Sequence, residues 1–213
     1  MGRMDAHGVT PLVPAVAQDE RTGEVLMLAY MDAEAEAATA RDGLATYHSR
    51  SRGRLWRKGE SSGNVQRVRA VHADCDGDAR LVSVRQVGTG ACHTGATSCF
   101  RRPGEDDPAP VLLRLERRIR ARLADRPEGS YTARLAGQGT ARVAQKVVEE
   151  AGEAAIAAAL GDREAVVREA ADLVYHLWLL LSVSGVSYAE LAEELAAREG
   201  GPAAGARPGG VDA

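Results

Sequence analysis

The first half of the chain alternates short apolar runs with turn residues, a pattern typical of β-strands. Residues 12–18 and 25–31 flank the polar stretch 19–23, so this region is predicted to form a hairpin. Asp32 is then placed to cap a short Ala/Glu-rich helix that stops before Gly43. Further strands are predicted over 45–50, 65–73 and 80–87, with a turn at 76–78 joining the last two.

The second half has a helical period, with apolar residues three and four positions apart. Its first helix has Leu112, Leu115, Ile119 and Leu123 as a stripe. Helices are predicted over 111–123, 141–160, 163–182 and 188–198. The expected fold class is therefore α+β, a mostly β N-terminal domain with one short helix, followed by an all-α helical-bundle C-terminal domain.

Proline and glycine mark the domain boundaries. The segment 103–110 holds three prolines and several charges, so it is predicted to be a linker. The resulting division is a first domain over 1–102, the linker over 103–110, a helical domain over 111–198, and a Gly/Ala/Pro-rich tail over 199–213 that is expected to be disordered.

Composition and charge exclude several classes of protein. The chain has 213 residues and a net charge of −3, which gives no broad basic field for nucleic acid. No apolar run reaches the roughly 20 residues of a membrane span, and residues 1–10 hold no hydrophobic segment of a signal peptide. Three cysteines, an odd number, argue against a disulfide framework. We therefore expect a cytoplasmic protein whose partners include neither membrane nor nucleic acid.

All three cysteines lie in one stretch together with three aspartates. Thiolate sulfur favours Zn²⁺ and carboxylate oxygen favours Mg²⁺, so the stretch indicates two metals and metal-assisted hydrolysis. The spacings between Cys75, Cys92 and Cys99 match no zinc finger, which favours an open zinc site with a water ligand. His93 follows a candidate ligand and is a candidate proton carrier. The candidate magnesium ligands are Asp74, Asp76 and Asp78.

Other interpretations of this stretch remain open. His93 as a fourth ligand would make the zinc site structural, and free cysteines beside a solvated acidic turn would hold no metal. If the segment is extended, the three aspartates share one face and Cys75 points to the other. The metals would then lie on opposite sides of one strand end, or the zinc ligands would come from two subunits.

A basic segment over 49–63 is a candidate phosphate-binding loop. Its arginines favour bidentate contacts to phosphate, and its serines and glycines add further donors. Trp56 is a candidate for stacking on a base, while a solvated surface loop is the alternative. The candidate substrate-binding residues are Arg50, Arg52, Trp56, Arg57, Lys58, Ser61 and Ser62.

Acidic residues lie on or beside apolar stripes in two of the predicted helices. Glu150 falls close to Val143 on the helical wheel, and Glu169 falls beside His176. A buried carboxylate is costly unless it is paired or bound to metal. The alternative is a solvated face with Lys146 and Arg168 as ion partners. The predicted cage for Mg²⁺ comprises Glu149, Glu150, Glu153, Glu169 and Asp172.

These residues carry a resemblance to two enzyme families. Residues 12–102 resemble phosphoribosyl-AMP cyclohydrolase through the runs 25–31, 47–51, 55–60, 74–78, 92–95 and 98–100. Residues 111–198 resemble phosphoribosyl-ATP pyrophosphohydrolase through 130–132, 145–146, 149–150, Glu153 and 170–176. The order is that of the bifunctional family of histidine biosynthesis. Asn64, where family members often have histidine, and Gly152 are departures from the pattern.

The resemblance implies a function and roles for residues. It implies release of pyrophosphate from phosphoribosyl-ATP by the C-terminal domain, then opening of the adenine ring of phosphoribosyl-AMP at N1–C6 by the N-terminal domain. It implies a homodimer with zinc held across the interface, His93 as acid/base, and Lys146 among the substrate-binding residues. The alternatives are a general nucleoside triphosphate pyrophosphohydrolase fused to the cyclohydrolase, and a non-enzymatic, zinc-stabilised binding module.

Overall fold

The computed structural model describes residues 11–199, which fall into two compact units that divide between Pro110 and Val111. The expectations for residues 1–10 and for the tail beyond Glu199 lie outside the described residues. Glu199, the first residue of the predicted tail, is the last residue of a helix. The segment 103–110 contains neither helix nor strand, yet its Ala109 is buried.

The first unit is built on one six-stranded sheet and one helix, α1 (Ala33–Asp42). The strands run in the order β4-β3-β2-β1-β6-β5, with β1 antiparallel to β2 and parallel to β6. Their bounds are β1 Val13–Asp19, β2 Val25–Met31, β3 Thr46–Ser49, β4 Arg54–Arg57, β5 Gln66–Ala73 and β6 Arg80–Gln86.

Local side-chain chemistry sets the first turn and the first helix. The Asp19 carboxylate accepts hydrogen bonds from the Thr22 amide and hydroxyl, which closes the β1–β2 hairpin. Asp32 Oδ1 accepts from the Ala35 amide at 2.8 Å and so caps α1, as predicted. Gly43 ends the helix with φ of 66°, a conformation that other residues adopt at a cost.

One face of the sheet forms the core of the first unit. Ala15 and Ala17 of β1, Val82 and Val84 of β6, and Tyr47 of β3 are all fully buried. The Tyr47 hydroxyl donates to Gln66 Oε1 at 2.9 Å, which satisfies a buried polar pair. The alternation in β1 therefore leaves Val16 on the opposite face of the sheet.

The second unit is all-helical and has five helices in its described residues. They are α2 (Val111–Asp125), α3 (Tyr131–Gly137), α4 (Thr140–Ala159), α5 (Arg163–Val183) and α6 (Tyr188–Glu199). The core contains Ile119 of α2, Leu135 of α3, Val143 of α4, and Trp178 and Leu179 of α5. The predicted stripe residues Leu112, Leu115 and Leu123 pack against it, half-buried.

The predicted fold class is confirmed, with two additions. The segment predicted as a basic loop contains strand β4, and the segment before Thr140 contains helix α3, so the unit has five helices rather than four. Within residues 11–199 no single helix has the length and apolar character to cross a membrane. By those two criteria only α5 and α6 taken together qualify, and they meet at 109°.

Gly152 lies in the interior of α4 and is exposed, and a Cβ built there meets nothing within 4 Å. Replacing it with alanine is expected to stabilise the helical unit by about 0.5–1 kcal/mol, because alanine loses less backbone entropy. Urea unfolding followed by circular dichroism measures the change. Destabilisation by Gly152→Ala would mean that another surface packs closely on α4 at this position.

Candidate functional site

A loop between β5 and β6 brings the three predicted magnesium ligands together. Asp74, Asp76 and Asp78 each offer a carboxylate oxygen within 4.8 Å of the others, and all three are exposed. The segment is bent rather than extended, since Gly77 has φ of 82°. The predicted turn is therefore confirmed. The three aspartates come together because the loop is bent, and not because they share one face of an extended strand.

The three carboxylates interact electrostatically. A hydrogen bond from the Ala79 amide lowers the pKa of Asp74. The hydrogen bond with Asp74 raises the pKa of Asp78, and the negative charges of Asp76 and Asp74 raise it further. Like charges held this close favour a bound cation, so the loop fits the predicted Mg²⁺.

Two of the three cysteines lie close to each other. The Thr94 hydroxyl donates to Cys92 Sγ at 3.1 Å, and this hydrogen bond lowers the pKa of the Cys92 thiol. Burial raises the pKa of Cys99, and the nearby Cys92 raises it further, while Lys58 acts in the opposite direction. Two neighbouring thiols with a hydroxyl donor fit one side of a zinc site.

His93 is exposed, and its Nδ1 lies 3.9 Å from Cys92 Sγ. The imidazole therefore stands beside the thiol pair and is open to solvent, which suits the predicted role in proton transfer.

Cys75 lies apart from the thiol pair. It belongs to the β5–β6 loop, which adjoins the start of β1 because Arg80 pairs with Ala15. Cys99 is fixed near the other end of β1, since its amide donates to the Leu26 carbonyl at 2.7 Å. Among the described residues no group of three ligands joins Cys75 with the pair.

The structure separates the predicted phosphate-binding residues into two sets. Arg57 forms an ion pair with Asp42, and Trp56 packs on Tyr47 with ring centroids 5.3 Å apart. Arg50 lies 3.9 Å from the centre of the Tyr30 ring. The other set, Arg52, Ser61 and Ser62, is exposed, as is Arg50, while Lys58 is half-buried near Cys99.

Asn64 has a role that the sequence did not indicate. Its Oδ1 accepts from the Thr89 amide at 3.0 Å, and its side chain leaves no room for a Cβ at Gly88, whose φ is 85°. Asn64 thus fixes the segment that leads from β6 to Cys92.

His48 and Asp32 form a second contact missing from the sequence predictions. His48 Nδ1 lies 2.6 Å from Asp32 Oδ2, while the other oxygen of Asp32 caps α1. The two residues are 16 positions apart, so only the pairing of β2 with β3 brings them together.

A second group of carboxylates lies between α4 and α5. Glu150, Glu169 and Asp172 each offer an oxygen within 4.8 Å of the others. Glu150 is only 5% exposed, as its position on the helical wheel predicts. The negative charge of Glu150 raises the pKa of Glu153, with burial and Glu169 adding to the effect, so Glu153 faces this group. Four acids in one place fit a divalent cation.

Lys146 and Glu149 lie at the edge of this carboxylate group. Lys146 Nζ donates to Glu150 Oε1 at 2.6 Å and to Glu149 Oε2 at 2.9 Å, and these bonds raise its pKa. Lys146, with Arg142, lowers the pKa of Glu149. Glu149 therefore lies among cations and is not brought into the group of Glu150, Glu169 and Asp172.

Helix α3 places a tyrosine next to the carboxylate group. The Tyr131 hydroxyl lies 3.0 Å from His176 Nε2, and His176 Nδ1 lies 2.9 Å from the Asp172 carbonyl. The same Nδ1 is 3.7 Å from Glu150 Oε1. The sequence signals for this arrangement are the runs 130–132 and 170–176 of the resemblance, and within the first of them the Ser130 hydroxyl caps α3 through the Ala133 amide.

Comparison with known proteins agrees with this division. The family model described as phosphoribosyl-AMP cyclohydrolase matches residues 27–101, and the one described as phosphoribosyl-ATP pyrophosphohydrolase matches residues 112–199. The two matches fall in the first and the second unit, respectively.

Curated relatives match along most of the chain, and each is named a histidine biosynthesis bifunctional protein HisIE. The protein of Deinococcus radiodurans is 50% identical over 195 residues, 89% of each chain. That of Aquifex aeolicus is 47% identical over 193 residues, 88% of this chain and 94% of the relative. The chain therefore belongs to the bifunctional histidine-biosynthesis family, hydrolases in which a phosphoribosyl-AMP cyclohydrolase domain precedes a phosphoribosyl-ATP pyrophosphohydrolase domain.

Proposed function

We propose that each activity uses the ligand groups of its own unit and that phosphoribosyl-ATP is processed by the second unit before the first. The observation that supports this most directly is the buried Glu150 beside Glu169 and Asp172. Burying several carboxylates together is costly, and a bound cation offsets that cost. The first unit has its own acidic loop and thiol pair.

In the second unit, Glu150, Glu169 and Asp172, with Glu153 facing them, are the proposed ligands of Mg²⁺. These residues would hold the ion where it would neutralise charge on the triphosphate and on the leaving pyrophosphate. Lys146 holds the Glu150 carboxylate in place through its hydrogen bond at 2.6 Å, so that Glu150 would be oriented for the ion. Lys146 thus orients a ligand in this proposal, and it remains a proposed substrate-binding residue.

The proposed reaction of the second unit is an attack of water on the α-phosphorus of phosphoribosyl-ATP. The bond from the α-phosphorus to the bridging oxygen breaks, and pyrophosphate and phosphoribosyl-AMP leave. The group between α4 and α5 orients the chain of phosphates, which is the main contribution that a protein makes to this kind of transfer.

The proposed reaction of the first unit opens the adenine ring of phosphoribosyl-AMP. The ribosyl group on N1 makes the ring cationic and C6 electrophilic. Water adds to C6, His93 carries the proton released, and the N1–C6 bond breaks so that C6 becomes a carbonyl carbon. The exposed Arg52, Ser61 and Ser62, with Lys58 beside Cys99, are the proposed contacts to the phosphates.

Zinc is the metal proposed for the thiols of Cys75, Cys92 and Cys99, and it supplies a Lewis acid that makes water nucleophilic at neutral pH. Cys75 adjoins the start of β1 and the thiol pair adjoins its far end, and seven residues of strand span about 20 Å. One chain therefore does not bring the three together. A two-fold dimer does, when Cys75 of one subunit meets Cys92 and Cys99 of the other.

The outer face of the sheet supports such a dimer. Val16 pairs with Leu28 on one side and with Leu81 on the other, so the three side chains form an apolar row across β2, β1 and β6. Leu28 is 45% and Leu81 is 39% exposed. A second copy placed on this row, between the two ends of β1, covers the apolar surface and forms two zinc sites.

A mixture of two inactive variants tests the shared site. Cys75→Ala and Cys92→Ala are each expected to lack cyclohydrolase activity. When the two are co-expressed, each mixed dimer retains one complete set of thiols, so about a quarter of the wild-type activity returns if subunits pair at random. Ring opening of phosphoribosyl-AMP is followed by absorbance.

The matched control is co-expression of Cys92→Ala with Cys99→Ala. These two thiols come from the same chain in the proposed site. One site of each mixed dimer therefore lacks Cys92 and the other lacks Cys99, so no complete thiol set forms. Activity in this control equal to that of the first mixture would contradict the proposed arrangement.

Purified protein supplied with phosphoribosyl-ATP is expected to release pyrophosphate and then form the ring-opened product. Turnover of dATP as fast as of phosphoribosyl-ATP would instead indicate a general nucleotide pyrophosphohydrolase. Cytoplasm is the proposed compartment, because its reducing conditions keep thiols available for zinc.

A further inference from the structure

Tyr131 and His176 form a hydrogen-bonded pair directly beside the carboxylate group of the second unit. His176 is 5% exposed and Tyr131 is 41% exposed, so one end of the pair is buried and the other reaches the surface. The Tyr131 hydroxyl and the Glu150 carboxylate lie on opposite sides of the same imidazole ring. None of the roles proposed above uses this pair.

The hydrogen bonds of His176 determine which ring nitrogen carries the proton. Nδ1 lies 2.9 Å from the Asp172 carbonyl, which only accepts, so Nδ1 is the donor. Glu150 does not compete for this proton, since its Oε1 is 3.7 Å away and already receives Lys146 at 2.6 Å. In the neutral ring Nε2 is therefore an acceptor.

This tautomer fixes the direction of the Tyr131 hydroxyl. The phenol has a single proton, and at 3.0 Å it donates that proton to His176 Nε2. The outward side of the phenol oxygen then offers only lone pairs. Donation to the ring also strengthens the oxygen as an acceptor, since hydrogen bonds in a chain polarise each other.

The ring of Tyr131 is held in place by its neighbours. His176 meets it edge-on with centroids 6.0 Å apart, Tyr175 lies 6.3 Å away, and the Arg134 guanidinium lies 5.5 Å from the ring centre. An acceptor that is fixed in this way repels phosphate oxygens and selects a partner that carries a proton. At the phosphate end of the substrate, that partner is water.

We infer that Tyr131 is a catalytic residue of the pyrophosphohydrolase, whose oxygen accepts a hydrogen bond from the attacking water and so positions it. His176 is the positioning residue that turns the phenol proton inward. With one hydrogen directed to Tyr131, a lone pair of the water is free to face the α-phosphorus. This inference rests on the proposed function of the carboxylate group and adds a residue to it.

Tyr131→Phe in the full chain is expected to lower kcat for pyrophosphate release from phosphoribosyl-ATP by about 10–100-fold and to change KM by less than about threefold. Binding of Mn²⁺, measured by paramagnetic resonance, should not change. Cyclohydrolase activity of the same chain should also be unaffected, which shows that the protein is folded.

The matched control is Tyr175→Phe, because Tyr175 belongs to the same ring cluster and its hydroxyl, within residues 11–199, bonds to Thr132 at 2.7 Å and not to His176. It is expected to keep kcat within about threefold of wild type. Equal kcat values for the two variants would overturn the inference. So would a raised KM with unchanged kcat in Tyr131→Phe, which would assign the phenol to a ribose hydroxyl.

Two substitutions of His176 separate positioning from packing. Glutamine places an amide oxygen near the Nε2 position and keeps an acceptor, whereas asparagine reaches only the Nδ1 position. His176→Gln should retain kcat within about tenfold of wild type, and His176→Asn should lose as much as Tyr131→Phe. Adding Tyr131→Phe to His176→Asn should cause no further loss.

The outcomes distinguish this inference from the function on which it rests. Wild-type protein that releases pyrophosphate, together with a fully active Tyr131→Phe variant, overturns the role of Tyr131 alone. Wild-type protein that releases none from phosphoribosyl-ATP overturns both.

Discussion

Replacing Cys92 with alanine is expected to lower cyclohydrolase activity by more than about 10³-fold, because the proposed zinc loses a ligand and water is no longer activated. Cys92 is half-buried and accepts a hydrogen bond from Thr94, so a smaller side chain there leaves the core of the sheet intact. Ring opening of phosphoribosyl-AMP by the purified variant measures the effect, and elemental analysis measures the zinc.

Pyrophosphate release by the same Cys92→Ala protein should remain within about twofold of wild type, since the carboxylate group lies in the other unit. Thr94→Val is a matched variant that keeps the thiol and removes only its hydrogen-bond donor. It should retain zinc and lose far less activity. Loss of both activities in a folded Cys92→Ala protein would contradict the assignment of one activity to each unit.

Local chemistry made much of the fold predictable. The hairpin, the cap at Asp32 and the stop at Gly43 each depend on residues within a few positions of each other, and all three are as predicted. Strand β4 was missed because only Leu55 and Trp56 stand between its charged ends. Helix α3 has seven residues, too few for a helical period to be visible.

The candidate sites were predictable where burial follows from periodicity. The position of Glu150 on the wheel placed it against the core, and it is buried. The sequence prediction nevertheless placed both Glu149 and Glu150 in the cage, because periodicity indicates burial but not the ion partners of a side chain. Lys146 and Arg142 bind Glu149, and the resulting network is a property of three-dimensional packing.

Contacts between distant segments were not predictable from one sequence. Asn64 reaches Thr89, and Asp32 reaches His48, only after the strands have paired. The same limit applies to the three cysteines, whose identical side chains suggested one shared metal site. Pairing of β1 with β6 decides that Cys75 and Cys99 lie at different ends of the sheet.

Replacing Glu150 with glutamine is expected to lower pyrophosphohydrolase kcat by about 10²–10³-fold, because the buried ligand group loses one negative charge at the proposed Mg²⁺. The amide keeps the volume of the side chain and can still accept from Lys146, so the packing of α4 on α5 is preserved. Pyrophosphate release from phosphoribosyl-ATP and the affinity for Mn²⁺ should fall together, while cyclohydrolase activity stays as in wild type.

Glu149→Gln is the matched comparison, with the same chemical change one residue away. Glu149 is 36% exposed at its side chain and is paired with Lys146 and Arg142, whereas Glu150 is buried beside Glu169. Its loss of kcat should therefore be at least about tenfold smaller than that of Glu150→Gln. Equal losses in the two variants would mean that Glu149 turns toward the ion when the substrate is bound, and that the pairing with Lys146 does not determine which acid is the ligand.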